Sequence, residues 1–320
     1  MKRGIVISGG GSKGAWAGGI VDYLINEKKV NYDVCIGTST GGLLTPLISL
    51  GETQRLKEAY TNVTNKDIFT IAPYNDKGKI RIFNAIWRIL RGKLSLGEQG
   101  GLEKLIPKFF TEEDYIKTIN QNKIVGCTVT NYTTGQNETK LQYANLYENY
   151  CEWMLATSAV PIVFDVIYKN LQQYLDGGVT IHCPIKEALL HDCTEVDVIV
   201  LRTKEPSDTD WIGNNMYDIF NRTINILTRQ ISEDDVMIGM LEGTQQEVKL
   251  NFHYTPYQLT DNSSVFNKEQ MLKWWNEAYE YTKTHTPEIK YLQAIQSIQS
   301  IASTKNLKFG QIKTYKYHTI

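Results

Sequence analysis

A serine with a glycine two residues away on either side, in Gly37-Thr38-Ser39-Thr40-Gly41-Gly42, is a pattern that can make a nucleophile. It follows an apolar run, Tyr32–Gly37, that reads as a buried strand, and it opens a helix expected from about Ser39 to Leu50. At such a strand-to-helix turn the Ser39 hydroxyl is lifted above the sheet. Small residues at Gly37 and Gly41 relieve the crowding of the strained elbow, and the N–H of Thr40 faces any oxyanion that forms. A second glycine-rich turn, Gly9-Gly10-Gly11-Ser12-Lys13-Gly14, ends an earlier β-branched run, Gly4–Ser8. Loops at the C-terminal ends of parallel strands gather on one edge of a sheet, so this turn and Ser39 are expected side by side. Glycine N–H groups at a helix head bind anions. Gly10 and Gly11 are the expected oxyanion donors, with Lys13 adding positive potential or capping the loop.

The same loop satisfies G-x-G-x-x-G at Gly9, Gly11 and Gly14, the first requirement of a dinucleotide site. The second requirement, an acid at the end of the next strand, is not met, because Asp33 stands at that strand's beginning. A P-loop needs Ser or Thr after its lysine, and Lys13 is followed by Gly14. A non-catalytic nucleotide-binding module is the alternative these glycines leave open.

A serine hydroxyl needs a base. Of the five histidines, His182 and His191 follow Asp176 in the order serine, acid, histidine. Asp176 itself ends an apolar strand in Tyr174-Leu175-Asp176-Gly177-Gly178-Val179. Within hydrogen-bond reach of Ser39 its carboxylate could take the proton directly, and Gly177 and Gly178 would leave room for substrate. Residue types alone leave both routes open.

The glycine loop with its lysine, the Gly37–Gly42 elbow and Asp176-Gly177-Gly178, in this order, resemble the patatin-like phospholipases. Ala156–Phe164 is similar to the family's Ser/Ala-rich segment ending in proline, and Ser263–Tyr281 to its C-terminal part. The resemblance covers about residues 1–282. It implies a three-layer α/β/α fold, a central mostly parallel sheet flanked by helices. It implies a Ser39–Asp176 dyad with no histidine, no metal and no cofactor. The oxyanion hole maps to Gly9–Gly11, with Lys13, Gly14, Gly37, Gly41, Gly177 and Gly178 in support. The implied reaction is acyl-ester hydrolysis of phospholipid or another acyl-ester lipid. The alternative substrate is a small soluble ester. Thr40 stands where alanine is usual and could narrow the pocket. His182-Cys183-Pro184 stands where an asparagine before the proline is common, which is expected to affect loop packing.

The elements that must position these residues are legible as alternating runs. A helix from about Lys13 to Asn26 carries Ala15, Ala17, Gly18 and Gly19, a small-residue face suited to lying close on a sheet. Lys123–Asn131 and Glu138–Ala144 read as a hairpin, Leu146–Thr157 as a helix, and Val163–Tyr168 and Gln172–Leu175 as short strands. Glu195–Thr203 and Glu247–Tyr254 read as strands, and Trp211–Glu242 and Asn267–Thr284 as helices. Residues 1–284 are expected to form the hydrolase domain, with a helical cap or lid inserted at about 64–110. Residues 285–320 are expected to be a C-terminal helical tail.

Within the insert, Lys79–Lys93 reads as an amphipathic helix. Arg81, Asn84, Arg88 and Arg91 share one side, and Ile80, Phe83, Ile86, Trp87, Ile89 and Leu90 cover the rest. That pattern fits a helix lying at an anionic membrane surface, with Trp87 near the headgroups. It fits equally a cap packed on the site with its arginines in water. The pair Trp274-Trp275 reads as packing rather than chemistry.

The bulk numbers agree. The 320 residues are 42% hydrophobic and 22% charged, enough for a large core. A formal net charge of -1 gives no reason to expect nucleic acid. Cys35, Cys127, Cys151, Cys183 and Cys193 are odd in number and lack C-x-x-C spacing, so they read as reduced thiols. Ile5-Val6-Ile7 is too short for the apolar core of a signal peptide. No run reaches the ~18 apolar residues of a membrane span. A cytoplasmic protein, peripheral at a membrane surface, is the expectation.

Overall fold

β-Branched runs closed by glycine build the centre of the molecule. The computed structural model describes residues 1–75, 80–205, 211–213, 216–260 and 262–289. The chain begins β1 (Lys2–Ile7), α1 (Gly14–Asn26), β2 (Val34–Thr38) and α2 (Thr40–Ser49). Next come α3 (Thr53–Thr61), α4 (Asn65–Ile68), α5 (Ile82–Leu90), α6 (Gly100–Phe109) and α7 (Glu112–Asn120). The sheet resumes with β3 (Ile124–Asn131) and β4 (Gln136–Leu141), then α8 (Tyr147–Thr157), β5 (Ile167–Lys169), β6 (Gln172–Asp176) and α9 (Ile185–Leu189). Last come β7 (Cys193–Val200), α10 (Met216–Gln245), β8 (Lys249–Tyr254), α11 (Lys268–Thr284) and β9 (Glu288–Ile289).

The strands form one sheet in the order β5-β6-β3-β2-β1-β7-β8-β9, with β4 also paired to β3. The pairs from β3 through β2, β1 and β7 to β8 are parallel, and the outer pairs are antiparallel. Alternation along the strands makes two cores. Ile5, Ile7, Cys35 and Ile199 point toward the helices on one face, α1, α2, α3 and α11. Val6, Val34, Ile36, Val196, Val198 and Val200 point to the other, toward α9 and α10. Burying each such side chain stabilises by about 1.5–3 kcal/mol. The fold is the mostly parallel sheet between helical layers, with a helical insert, that the sequence predicts.

The small-residue face of α1 has a different neighbour from the one expected. It receives α11 rather than the sheet: a Cβ on Gly18 would lie 1.9 Å from Trp275 Cζ3. Trp275 is fully buried there, and its indole N–H donates to Asp22 Oδ2 at 2.9 Å. Of the stretch expected as a helical tail, Glu288–Ile289 form the two-residue β9, which pairs with β8. Residues 290–320 lie outside the described residues.

The insert helix α5 also departs from expectation. Lys79 lies outside the described residues. The apolar side chains of α5 do not pack inward: Phe83 is 90% exposed and Trp87 56%, and Ile82, Ile89 and Leu90 are exposed as well. Arg88, placed by the helical pattern on a solvent stripe with Arg81 and Arg91, is instead 5% exposed. Its Nε donates to Ser95 O at 2.7 Å, Nη1 to Glu98 Oε1 at 2.7 Å, and Nη2 to Ser95 Oγ at 3.0 Å and Gly97 O at 3.3 Å. Asp165 Oδ1 lies 3.3 Å from Nη2 and is also bonded by Ser95 Oγ. This fork of acceptors offsets the cost of burying the guanidinium. Arg81 and Arg91 remain exposed, with the Arg91 guanidinium 4.2 Å from the Trp87 ring centre. Arg88→Met should therefore free α5 from its anchor. The expected result is faster limited proteolysis between residues 80 and 97, with a stability loss of roughly 1–3 kcal/mol, because Glu98 and Asp165 keep partial access to water.

Candidate active site

The sharp turn after β2 is set at Ser39, which has φ 56° and ψ -125° and heads α2. A side chain on Gly37 would meet the Gly41 carbonyl carbon at 2.2 Å, and one on Gly41 would meet Ile7 O at 2.2 Å. Glycine at both positions is thus a packing requirement of the elbow. The Ser39 N–H donates to Thr157 Oγ1 at 2.9 Å, and that hydroxyl donates to Thr128 O at 2.6 Å. Thr157 was not singled out by sequence. Its signal was its place at the start of the Ser/Ala-rich segment, which also supplies Ala159 O to the Asp176 N–H at 2.9 Å.

Strand register explains how Asp176 reaches Ser39. β2 pairs with β3 as far as Thr38 opposite Thr128. β6 takes over with Asp176 opposite the next residue, Val129. Asp176 therefore arrives where β2 leaves off, one residue before the elbow serine. Both side chains are buried. The Gly178 N–H donates to Asp176 Oδ1 at 2.7 Å. Gly177 is packed on Thr128, whose Oγ1 would be 2.3 Å from a Cβ there. Burial pushes the Asp176 carboxyl up to about 7, while hydrogen bonds from the Ser39 hydroxyl and the Gly178 N–H pull the other way.

The glycine loop lies on the same edge. Gly11 has φ 54°, a conformation that favours glycine, and a side chain there would strike Ser263 O at 2.2 Å. The Gly9 N–H donates to His182 O at 3.0 Å. The N–H groups of Gly10, Gly11 and Thr40 make no hydrogen bond among the described residues. Lys13 Nζ donates to Leu201 O at 2.7 Å and ties the loop to the end of β7. Burial, helped by the nearby Arg202 charge, lowers its pKa to about 8. A side chain on Gly14 would lie 2.6 Å from Thr40 Oγ1, so the extra bulk of Thr40 is turned toward that glycine.

The histidines divide. His182 lines the cavity with Ser39 and Asp176. His191 belongs to the opposite edge of the sheet, where Lys2 at the start of β1 donates to its carbonyl. The cavity has a volume of about 1310 Å³. Leu43, Leu47, Leu56, Ile106 and Phe109 line it from α2, α3 and α6, and Ile224, Asn225, Leu227, Thr228 and Ile231 line it from α10. Among the described residues no group of His, Cys, Asp and Glu is placed to hold a metal ion. None of the described helices is long and apolar enough to cross a membrane.

A family model described as patatin-like phospholipase matches residues 5–189, more than half of the 320. The chain belongs to the patatin-like phospholipase family. The match contains both Ser39 and Asp176 and ends before β7. The family so described is one of lipid acyl hydrolases, and this chain is a member of it. Among solved structures it is similar to VipD from Legionella pneumophila, at 12% identity and a TM-score of 0.46, over 88% of this chain and 66% of that one. The patatin-like chain thus spans just under two thirds of the length of VipD. No curated protein matches it significantly.

Proposed function

We propose that the protein cleaves acyl esters of phospholipid or a related lipid, with Ser39 as nucleophile and Asp176 as its direct base. The observation that carries this reading is the register through β3, which brings Asp176 in at the end of the strand that leads to Ser39. The Ser39 oxygen attacks the ester carbonyl as its proton passes to Asp176. The N–H groups of Gly10, Gly11 and Thr40 receive the oxyanion. The alcohol leaves with the proton held by Asp176, and an acyl group stays on Ser39. Water then attacks, giving its proton to Asp176. The fatty acid departs, and Ser39 regains its hydrogen. Each oxyanion donor contributes about 2.7–4 kcal/mol in such sites. The acyl chain lies along the apolar walls of the cavity, and no cofactor enters the scheme.

An assay on one long-chain ester with Ser39→Ala, Asp176→Asn, His182→Ala and His191→Ala tests it. Activity that survives Asp176→Asn and is lost with a histidine contradicts the dyad.

The hydrolase unit spans 1–284 in this reading, and 64–110 form its cap. The exposed apolar residues of α5, flanked by Arg81 and Arg91, suit a transient contact with an anionic membrane surface. Phe83→Ser with Trp87→Ser is expected to weaken binding to anionic vesicles at least about tenfold, since each buried aromatic contributes about 1.5–3 kcal/mol. Sedimentation with vesicles measures this, and undiminished binding contradicts the contact. The five cysteines are all free thiols, which suits a cytoplasm-like, reducing compartment.

A further inference from the structure

His182 has no part in the scheme above, yet its ring stands inside the site. Its backbone is held from two sides. The N–H donates to Asp235 Oδ2 at 2.7 Å, and the C=O accepts the Gly9 N–H at 3.0 Å. The position of the ring follows from the two glycines around it. A Cβ on Gly9 would lie 3.0 Å from His182 Nε2 and 3.4 Å from the Ser39 Cβ. A Cβ on Gly178 would lie 3.4 Å from His182 Cδ2 and 3.1 Å from Asp176 Oδ1. One edge of the imidazole therefore borders the same narrow space as the serine and the carboxylate. Side chains at Gly9 or Gly178 would close that space.

The backbone of the ring is tied to one wall of the cavity. Asp235, which holds it, is in α10, whose Asn225 and Thr228 line the cavity beside Ile224, Leu227 and Ile231. The walls from α2, α3 and α6 present Leu43, Leu47, Leu56, Ile106 and Phe109, with α2 and α3 on the other face of the sheet from α10. The groups facing the imidazole do not suit a base. Burial, then the Lys13 and Arg202 charges, lower its pKa to about 3. Near neutral pH it is an uncharged ring, able to donate or accept one hydrogen bond at an edge but unable to take up and hold the serine proton. Its Nδ1 is buried with no partner.

We propose that His182 is a specificity-determining residue that touches substrate: its Nε2 edge hydrogen-bonds the oxygen-rich alcohol part of the lipid beside the scissile ester, while the acyl chain runs along the apolar side chains of α2, α3 and α6. This rests on the Ser39–Asp176 reading, and it makes His182 a reader of the alcohol part rather than of the acyl chain.

The test holds the acyl chain constant and changes only the alcohol. kcat and KM are measured for wild type, His182→Ala and His182→Gln on a lysophospholipid and on the p-nitrophenyl ester of the same fatty acid. For His182→Ala the ratio of the two kcat/KM values should shift about tenfold against the lysophospholipid, the size expected for one hydrogen bond in a site built to make it. His182→Gln, which keeps a hydrogen-bonding group, should recover part of that ratio. Equal losses on both esters, or no loss on either, overturn the proposal. If His182→Ala does not fold, the His182→Gln ratio decides alone: it shifts against the lysophospholipid by less than about tenfold, and an unchanged or oppositely shifted ratio overturns the proposal. Failure of a fluorophosphonate to label Ser39 in the wild type would instead strike the dyad itself, a result distinct from an unchanged ratio.

Discussion

Ser39→Ala should reduce acyl-ester turnover by roughly ten-thousandfold or more, to a rate near background, without unfolding the protein. The side chain at this position is not what holds the elbow. The turn is kept by the Ser39 N–H on Thr157 Oγ1 and by the close packing of Gly37 and Gly41, and none of these contacts involves the hydroxyl. Alanine can occupy the same strained backbone at a cost similar to that of serine. Substrate should still enter the cavity, so the variant is expected to bind a lipid ester that it cannot cleave. Equilibrium binding and steady-state turnover, measured on one preparation, separate the two effects. Retention of more than a few per cent of the wild-type kcat would mean that another group is the nucleophile.

Asp176→Asn has two effects of opposite sign. Activity falls by roughly a thousandfold or more, because an amide cannot accept the serine proton. Stability rises at alkaline pH. The wild-type carboxyl has a folded pKa of about 7, above the roughly 3.9 of an exposed aspartate. Between those values the folded state holds a proton that the unfolded state has released. Wild-type stability thus declines as pH climbs from about 4 through 7, and above 7 the molecule carries the full cost of a buried carboxylate. That cost is on the order of a few kcal/mol, and asparagine removes it. Melting temperatures at pH 5 and pH 8 should therefore diverge, with the Asn variant ahead mainly at pH 8. In the proposed dyad the same ionisation governs catalysis. Wild-type kcat/KM should rise with pH up to a plateau above about 7, with a slope near tenfold per pH unit on the acid side. A stabilised, inactive Asp176→Asn protein is the signature of a functional carboxylate held at the expense of the fold.

β1 and β6 were readable because each runs straight toward a glycine pair, β7 because it is a β-branched run, and the elbow because its glycines are demanded locally. The pairing of Ser39 with Asp176 was readable only as motif order. Its physical cause, β6 taking over the edge of β3 from β2, depends on register between strands distant in the chain. Arg88 was misplaced for a related reason. A helical pattern sends arginine to water by default, and the acceptors that draw it inward come from Ser95, Gly97, Glu98 and Asp165, outside its helix. The bond from the Gly9 N–H to His182 O was not readable either, because the acceptor lies far along the chain. Gly18 and Gly19 were correctly read as a close-contact face, but nothing local tells a sheet from Trp275 of α11.

Mass-spectrometric mapping of the trapped acyl-enzyme is the most direct measurement. A slowly hydrolysed ester is mixed with wild type, Asp176→Asn and His182→Ala, and the acylated peptide is sequenced. One acyl group on Ser39 in wild type and in His182→Ala, with acylation at least a thousandfold slower in Asp176→Asn, is the result the proposed dyad predicts. An acyl group on any other side chain, or acylation of Ser39 at an undiminished rate without the Asp176 carboxylate, would contradict it.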